Sequence, residues 1–147
     1  ALKASGNAIE SASYFNHDAE SLRAQLLAKT GTEHGTHSGL GWIPGIVKRI
    51  EVDDPTIRVP HIGWNDVSPK NDCPLFAGLG TEPNFYFVHS YRLECDDESV
   101  IAGTSHYGHP IVAAIQKGNV FGVQFHPEKS QETGLALLAN FLRWKGE

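Results

Sequence analysis

A short segment near the end of the chain, residues 123–131, restricts the fold more than any other part of the sequence. It follows an apolar run from Val120 to Val123 that is typical of a strand, and a helical pattern comes after it. Pro127 lies inside the segment and cannot donate to a sheet ladder, which suits the last residue of a strand. We therefore expect a strand that ends at the rim of a sheet, directly before a helix.

Two ionisable side chains, His126 and Glu128, flank Pro127 and are two positions apart. Residues two apart on a strand point to the same side, so we expect both side chains to face one cleft. A carboxylate can fix the tautomer of a histidine while the other ring nitrogen serves as a base toward a nucleophile. The same spacing also fits a strand-end histidine beside a solvated glutamate, because so short a pattern recurs by accident.

The residues around this pair, GVQFHPEKS at 122–130, resemble the C-terminal catalytic motif of the class I glutamine amidotransferases, which use a nucleophilic triad. Four upstream segments narrow the resemblance to the glutaminase subunits of imidazole glycerol phosphate synthases, from histidine biosynthesis. These segments are GTEHG at 31–35, GLGWIPG at 39–45, PHIGWNDV at 60–67 and YFVHSY at 86–91. The match runs from about Gln25 to the C-terminus, with the motifs in the family's order.

The resemblance implies an α/β fold with a flavodoxin-like sheet, helices on its faces and a C-terminal antiparallel section. We expect a single domain over residues 1–147, in which 1–24 are an atypical remnant and 25–147 are family-like. A complete member would place a first strand, an oxyanion loop and the nucleophile strand before the matched region. We therefore expect an incomplete sheet with an exposed edge, no oxyanion loop and low stability of the isolated chain.

The resemblance also implies roles for individual residues. His126 would be the general base, and Glu128 would be the group that orients its ring. Other positions are implied to hold glutamine (Gln25, His89, Ser90 and Tyr91) or to face a synthase partner at the mouth of an ammonia tunnel (Trp64, Asn65 and Lys129). The partners implied are glutamine and a cyclase or synthase subunit in a heterodimer, and no cofactor is implied.

The chain departs from the family at the nucleophile. Members carry G-x-C-x-G-x-Q with the cysteine at a sharp strand-to-helix turn, whereas this chain has AESLRAQ at 19–25. Ser21 stands at the position of the cysteine, and both flanking glycines, which permit the crowded turn, are replaced. Cys73 and Cys95 lie in a loop and at a strand end, and we expect buried or loop thiols there rather than reactive ones.

Composition excludes several other classes of protein. A formal net charge of −5 without a basic cluster argues against nucleic acid, and no apolar stretch is long enough to span a membrane. Two cysteines in unrelated contexts suit a reducing cytoplasm, which is the predicted location. A metal site is not expected, because Glu33, His34 and His37 lie in a glycine-rich loop without a further donor.

The coarse pattern predicts a mixture of helices and strands. The predicted helices are residues 18–29 and a final helix capped by Ser130, with Leu135, Leu138, Phe141 and Leu142 on one face. The predicted strands are 46–52, 57–67 (broken at Gly63), 84–94, 100–105, 111–116 and 120–125, the last three antiparallel, with loops over 30–45.

Three hypotheses for function stay open at this point. The first is a glutaminase subunit that releases ammonia from glutamine for a synthase partner. The second is a non-catalytic relative that keeps the partner-binding surface and acts as a scaffold. The third is an unrelated hydrolase that uses Ser21, His126 and Glu128.

Overall fold

A computed structural model describes residues 2–4, 7–11, 27–32, 35–70 and 72–145. Within these ranges the fold is mixed α/β, with strands grouped in three sheets and one long helix near the C-terminus. That helix, α1 (Gln131–Arg143), has 13 residues. No helix in the described part of the chain combines the length and the apolar character that a membrane crossing requires.

The strands of the described residues are numbered β1 to β12 in chain order. They are Leu2–Ala4, Asn7–Ser11, Ala28–Gly31, His37–Ser38, Ile43–Arg49, His61–Asp66, Ser68–Pro69, Asn84–His89, Tyr91–Cys95, Ile101–Tyr107, His109–Lys117 and Val120–Val123. Short 3-10 turns lie at Pro74–Phe76, Glu98–Val100 and Pro127–Lys129.

The largest sheet has six strands in the order β1-β2-β12-β11-β10-β7. Strands β10, β11 and β12 form an antiparallel series, as the alternating sequence pattern predicts. The pairing of β12 with β2 is parallel, with Val120 opposite Ala8 and Val123 opposite Ser11. Strand β12 therefore lies between its antiparallel partner β11 and its parallel partner β2, and it ends three residues before His126.

The other two sheets place the predicted site segments side by side. One has four strands in the order β4-β3-β5-β9, and the other is the antiparallel pair β6–β8. In the β6–β8 pair, His61 lies opposite His89 and Trp64 lies opposite Tyr86. The two motifs PHIGWNDV and YFVHSY, which are far apart in the sequence, are therefore neighbours in the fold.

Two apolar cores hold these layers together. The first lies between the β6–β8 pair, the six-stranded sheet and α1, and contains Phe85, Phe87, Phe121, Phe125 and Phe141. The rings of Phe85 and Phe125 stack with centroids 4.0 Å apart. The second core lies between the four-stranded sheet and β11, and includes Leu27, Ile43, Val47, Leu93 and Ile115. Because Phe125 is anchored in the first core, the residues that follow it have a fixed starting point.

Several predicted boundaries are wrong. The helix predicted over 18–29 lies outside the described residues up to position 26, and its predicted end at Lys29 is wrong because strand β3 begins at Ala28. Part of the predicted loop over 30–45 belongs to β3, β4 and β5. Gly63 does not break β6, because it stays paired with Phe87 at a φ of 135°. The strand predicted over 84–94 is two strands in two different sheets, separated at Ser90.

The apolar face predicted for the final helix is not the face that is most deeply buried. The helix begins after Ser130 as expected, but its buried residues are Gly134, Leu137 and Phe141. Leu135 and Leu142 are 66% and 71% exposed. The glycine at position 134 lets the helix approach the preceding turn closely, and this contact, rather than the largest apolar stripe, sets which face turns inward.

Candidate active site

The segment that carries His126 leaves the sheet before the histidine is reached. Strand β12 ends at Val123, and the backbone N–H of Gln124 still donates to the carbonyl of Ala113 at 2.9 Å. His126 is extended (φ −102°, ψ 95°) and precedes the 3-10 turn that starts at Pro127. The expectation that His126 and Glu128 share one side of a strand is therefore wrong, since Glu128 lies in a turn.

The turn nevertheless brings the two ionisable groups into contact. Nδ1 of His126 lies 2.9 Å from Oε1 of Glu128. The carboxylate can only accept, so Nδ1 carries the proton in this contact and donates it. His126 is 3% exposed whereas Glu128 is on the surface, so the carboxylate approaches the buried ring from the solvent side.

Ser130 holds the main chain of His126 against strand β8. Its hydroxyl donates to the carbonyl of His126 at 2.6 Å and accepts from the backbone N–H of Tyr86 at 3.0 Å. The N–H of His126 donates to the carbonyl of Tyr86 at 2.8 Å. The hydroxyl makes no capping bond to the helix that it precedes, so its predicted role as a side-chain cap is wrong.

Helix α1 closes over this turn without leaving space between them. A Cβ at Gly134 would lie 1.8 Å from the carbonyl oxygen of Pro127 and 2.9 Å from the side chain of Ser130. Only a residue without a side chain allows the helix to lie so close to backbone. The turn that bears the His126–Glu128 pair is therefore fixed by strand β8 and by helix α1.

The segment His89-Ser90-Tyr91, which is predicted to hold substrate, crosses from β8 to β9. The carbonyl of Ser90 accepts from the N–H of Ile50 at 2.8 Å. His89 is buried, and its Nδ1 lies 2.8 Å from the carbonyl of Tyr91. The ring of His89 is therefore engaged inside the protein, and Ser90 and Tyr91 present the more accessible part of the segment.

Of the residues predicted to face a partner, Trp64 and Lys129 lie at the surface, whereas the side chain of Asn65 turns to the other side of β6. Trp64 is 47% exposed, and its ring meets that of Tyr86 edge-on at 5.8 Å. Lys129 is exposed in the turn that follows His126. Asn65 is half-buried and donates to the carbonyl of His106 at 2.9 Å. Trp42 is 42% exposed, so both of these tryptophans lie at the surface and not in the core.

Neither cysteine has the environment of a nucleophile. Burial raises the pKa of the Cys73 thiol. Burial, helped by the carboxylates of Asp96 and Asp97, raises the pKa of Cys95 to about 11. Both thiols stay protonated near neutral pH, which agrees with the expectation of unreactive cysteines.

Some predicted positions lie outside the described residues: Ser21, Gln25, Glu33 and His34. Over the ranges that are described, no three His, Cys, Asp or Glu side chains gather as a metal ion would need. A cavity of about 460 Å³ opens near Trp144 and does not include His126 or His89. Its lining residues are Ser99, Val100, Ile101, Ala102, Gln116, Gly118, Asn119 and Trp144.

Two polar residues near the site have structural roles that the sequence pattern did not indicate. Ser130 anchors the carbonyl of His126, and the buried ring of His61 lies 2.9 Å from the ring of His89. The contact between His61 and His89 depends on the register of β6 against β8, which the sequence pattern does not give. The sequence signal for His61 is its place in the PHIGWNDV motif, in which the resemblance implies roles only for Trp64 and Asn65.

The class of protein follows from this arrangement together with the sequence. The profile of the class-I glutamine amidotransferase family matches residues 22–144, and the chain belongs to this family. The match begins one residue after Ser21. The family match confirms the resemblance to the class I glutamine amidotransferases and rules out the third hypothesis, an unrelated hydrolase.

Within the family, the chain is similar to proteins named "Imidazole glycerol phosphate synthase subunit HisH". It is 48% identical over 121 residues to the Azospirillum brasilense protein, which covers 82% of this chain and 63% of that protein. It is 50% identical over 121 residues to the Caulobacter vibrioides protein, covering 82% of this chain and 57% of that protein. The chain therefore spans about 60% of the length of the curated relatives it matches.

A solved structure has the same fold. A protein described as a putative GMP synthase component, from Thermoplasma acidophilum, superposes with a TM-score of 0.52 at 20% identity, over 67% of this chain and 47% of that one. The predicted fold class, an α/β fold of the class I amidotransferase type with an antiparallel C-terminal section, is confirmed.

Proposed function

We propose that this chain acts as the glutaminase-type subunit of an imidazole glycerol phosphate synthase. In this role it releases ammonia from glutamine and passes it to a cyclase partner. The observation that carries the proposal is the 2.9 Å contact between Nδ1 of buried His126 and Oε1 of Glu128. This pair lies in the motif GVQFHPEKS, inside the part of the chain that matches the family.

The chemistry proposed for the pair follows from the proton on Nδ1. Because Nδ1 keeps its proton and donates it in a hydrogen bond to Glu128, Nε2 of His126 carries the lone pair and accepts a proton from a nucleophile. The nucleophile then attacks the side-chain amide carbon of glutamine. The imidazolium returns its proton to the departing nitrogen, which leaves as ammonia. Water hydrolyses the resulting ester or thioester and frees glutamate.

Glutamine is proposed to bind along the segment His89-Ser90-Tyr91, with Gln25 as a further contact. The segment is a β8–β9 junction whose backbone is fixed by hydrogen bonds at Ser90 and Tyr91. Residues in such a junction can present backbone groups to a ligand, and a rigid scaffold holds them in position.

The cyclase partner is proposed to bind at Trp64, Asn65 and Lys129. Exposed tryptophan is a frequent anchor of protein interfaces, and Ile62 beside it on β6 is 55% exposed. Tyr86 connects this surface to the base, because its ring meets Trp64 and its backbone holds His126. Ammonia released near His126 would therefore emerge close to the partner.

The experiment is an assay of ammonia release from glutamine by the chain mixed with a cyclase subunit. Ser21 occupies the place of the family's cysteine, so the chain and its Ser21→Cys variant are measured in parallel. We expect release that increases in Ser21→Cys and falls about 10²–10⁴-fold when His126→Asn is added. Release that does not depend on His126 would rule out the proposed base.

A second candidate is a non-catalytic subunit that keeps the partner surface. It is favoured by Ser21 in place of cysteine and by the raised pKa of both thiols. In this case the chain binds the cyclase subunit, neither form releases ammonia, and His126→Asn leaves the affinity for the cyclase unchanged. The binding and ammonia measurements on one set of variants separate the two functions.

A further inference from the structure

A row of polar side chains runs through the interior of the β6–β8 pair. Nδ1 of His61 lies 2.9 Å from Nε2 of His89, and Nε2 of His61 lies 3.3 Å from the amide nitrogen of Asn65. Both imidazole rings are buried. Each imidazole nitrogen can donate or accept, so the positions of the protons must be worked out from the ends of the row.

At one end, backbone partners fix the amide of Asn65. Its nitrogen donates to the carbonyl of His106 at 2.9 Å, and its oxygen accepts from the N–H of Asp66 at 2.9 Å. The amide nitrogen therefore directs its second hydrogen toward Nε2 of His61. That atom must accept, so the proton of the neutral His61 ring is on Nδ1.

At the other end, the carbonyl of Tyr91 fixes the tautomer of His89, again with the proton on Nδ1. A carbonyl only accepts, so Nδ1 of His89 carries a proton and donates at 2.8 Å. Nε2 of His89 then accepts from Nδ1 of His61. Both rings are neutral with the proton on Nδ1, and every donor in the row meets an acceptor. A further proton on either ring would set two N–H groups against each other.

The ring of His61 is also held on both faces. It stacks on Phe87 with centroids 4.7 Å apart and on Tyr107 with centroids 3.9 Å apart. Burial lowers the pKa of His61 to about 4, which agrees with a neutral ring near pH 7. The orientation of this ring is thus fixed by packing, and its hydrogen bonds have fixed directions.

We propose that His61 is a positioning residue for glutamine binding: through His89 it fixes the backbone of Ser90 and Tyr91, against which the substrate is proposed to lie. The inference rests on the proposed function for the identity of the ligand. The positioning of the segment is argued from the row of hydrogen bonds and does not depend on which ligand binds. His61 would not touch glutamine, and its effect would pass through the donor bond from its Nδ1 to His89.

Two substitutions of His61 test its two hydrogen bonds separately, the bond to His89 and the bond to Asn65. The amide nitrogen of His61→Asn can take the place of Nδ1 and keep the bond to His89. The longer side chain of His61→Gln places its amide near Nε2 and keeps the bond to Asn65 instead. Both variants lose the stacking on Phe87 and Tyr107, so they are matched for lost packing.

The test combines nitrogen-15 NMR of the histidine rings and of the Ser90 and Tyr91 amides with titration calorimetry of glutamine on the full chain. We expect wild-type rings of His61 and His89 to be protonated on Nδ1 at pH 7. We expect the Ser90 and Tyr91 amide signals to shift in His61→Gln and to stay close to wild type in His61→Asn. Glutamine affinity should fall about tenfold in His61→Gln and change less than about twofold in His61→Asn.

The outcomes distinguish this inference from the proposed function. A proton on Nε2 of His89, or equal effects of the two variants on the Ser90 and Tyr91 amides, would overturn the positioning role. If the wild-type chain does not bind glutamine but the amide signals follow the expected split, His61 still positions the segment. That result would contradict glutamine as the ligand, and with it the proposed glutaminase function.

Discussion

At the scale of single residues, Ser130 has the clearest consequence for the base. Its buried hydroxyl satisfies both the carbonyl of His126 and the N–H of Tyr86. Ser130→Ala leaves the N–H of Tyr86 without its partner, and we expect a loss of about 1–3 kcal/mol in the free energy of unfolding. Urea unfolding measures this loss. Ser38→Ala, at an exposed strand position, is the control and should stay within about 0.5 kcal/mol of wild type.

The buried ring of His61 makes stability depend on pH in a defined direction. Its pKa is lowered from 6.5 to about 4 by burial, so between these values the unfolded chain binds a proton that the folded chain does not. The contribution is fully present above pH 6.5 and is lost as the pH falls toward 4. Between pH 7 and pH 4.5 the loss is on the order of 2–3 kcal/mol.

This loss is measured as the difference in unfolding free energy between wild type and His61→Gln at the two pH values. Carboxylates elsewhere in the chain titrate in both proteins, so their contribution cancels. We expect the stability advantage of wild type to shrink at pH 4.5 by the stated amount. An advantage that is the same at both pH values would show that His61 titrates normally in the folded protein.

At the scale of secondary-structure elements, the close approach of α1 to the turn at Pro127 depends on one glycine. In a helix interior, alanine is normally more favourable than glycine by about 1 kcal/mol. At position 134, however, its Cβ would overlap the carbonyl of Pro127, so we expect Gly134→Ala to destabilise the protein by at least about 2 kcal/mol. Chemical unfolding is the measurement, and Glu132→Ala on the exposed side of the same helix should have little effect.

The elements also show what the sequence can and cannot predict. The antiparallel series β10–β12 follows from alternating residues and a tight turn around Gly118, and this prediction is confirmed. The break at Ser90 has no such signal, because apolar and aromatic residues continue on both sides of it. Strand partners far apart in sequence decide that break, and local propensity does not report them.

In the candidate site, too, some contacts could be predicted from the sequence and others could not. The proximity of His126 and Glu128 was predicted from their spacing, although a turn rather than a strand produces it. The contact of His61 with His89 depends on the register between β6 and β8, which spacing along the chain cannot supply. Residues joined by a local motif were therefore predictable, and residues joined by sheet register were not.

At the scale of the whole molecule, the partner surface can be tested with two tryptophans of similar exposure. Trp64 lies on β6 beside Tyr86, whereas Trp42 lies next to β5. If the cyclase subunit binds at the β6–β8 pair, we expect Trp64→Ala to weaken the complex by about 2 kcal/mol, roughly 30-fold in Kd. Trp42→Ala should leave Kd nearly unchanged. Equal losses in the two variants would place the partner elsewhere.

Our main proposal is that His126, oriented by Glu128, is the base of a glutaminase that works with a cyclase partner. Its most direct test is the rate of ammonia release from glutamine by Ser21→Cys in the presence of the cyclase subunit, with and without His126→Asn. We expect measurable release by Ser21→Cys, and a release at least about 100-fold lower in the double variant. Equal release by both variants, or none from Ser21→Cys in a complex that demonstrably forms, would contradict it.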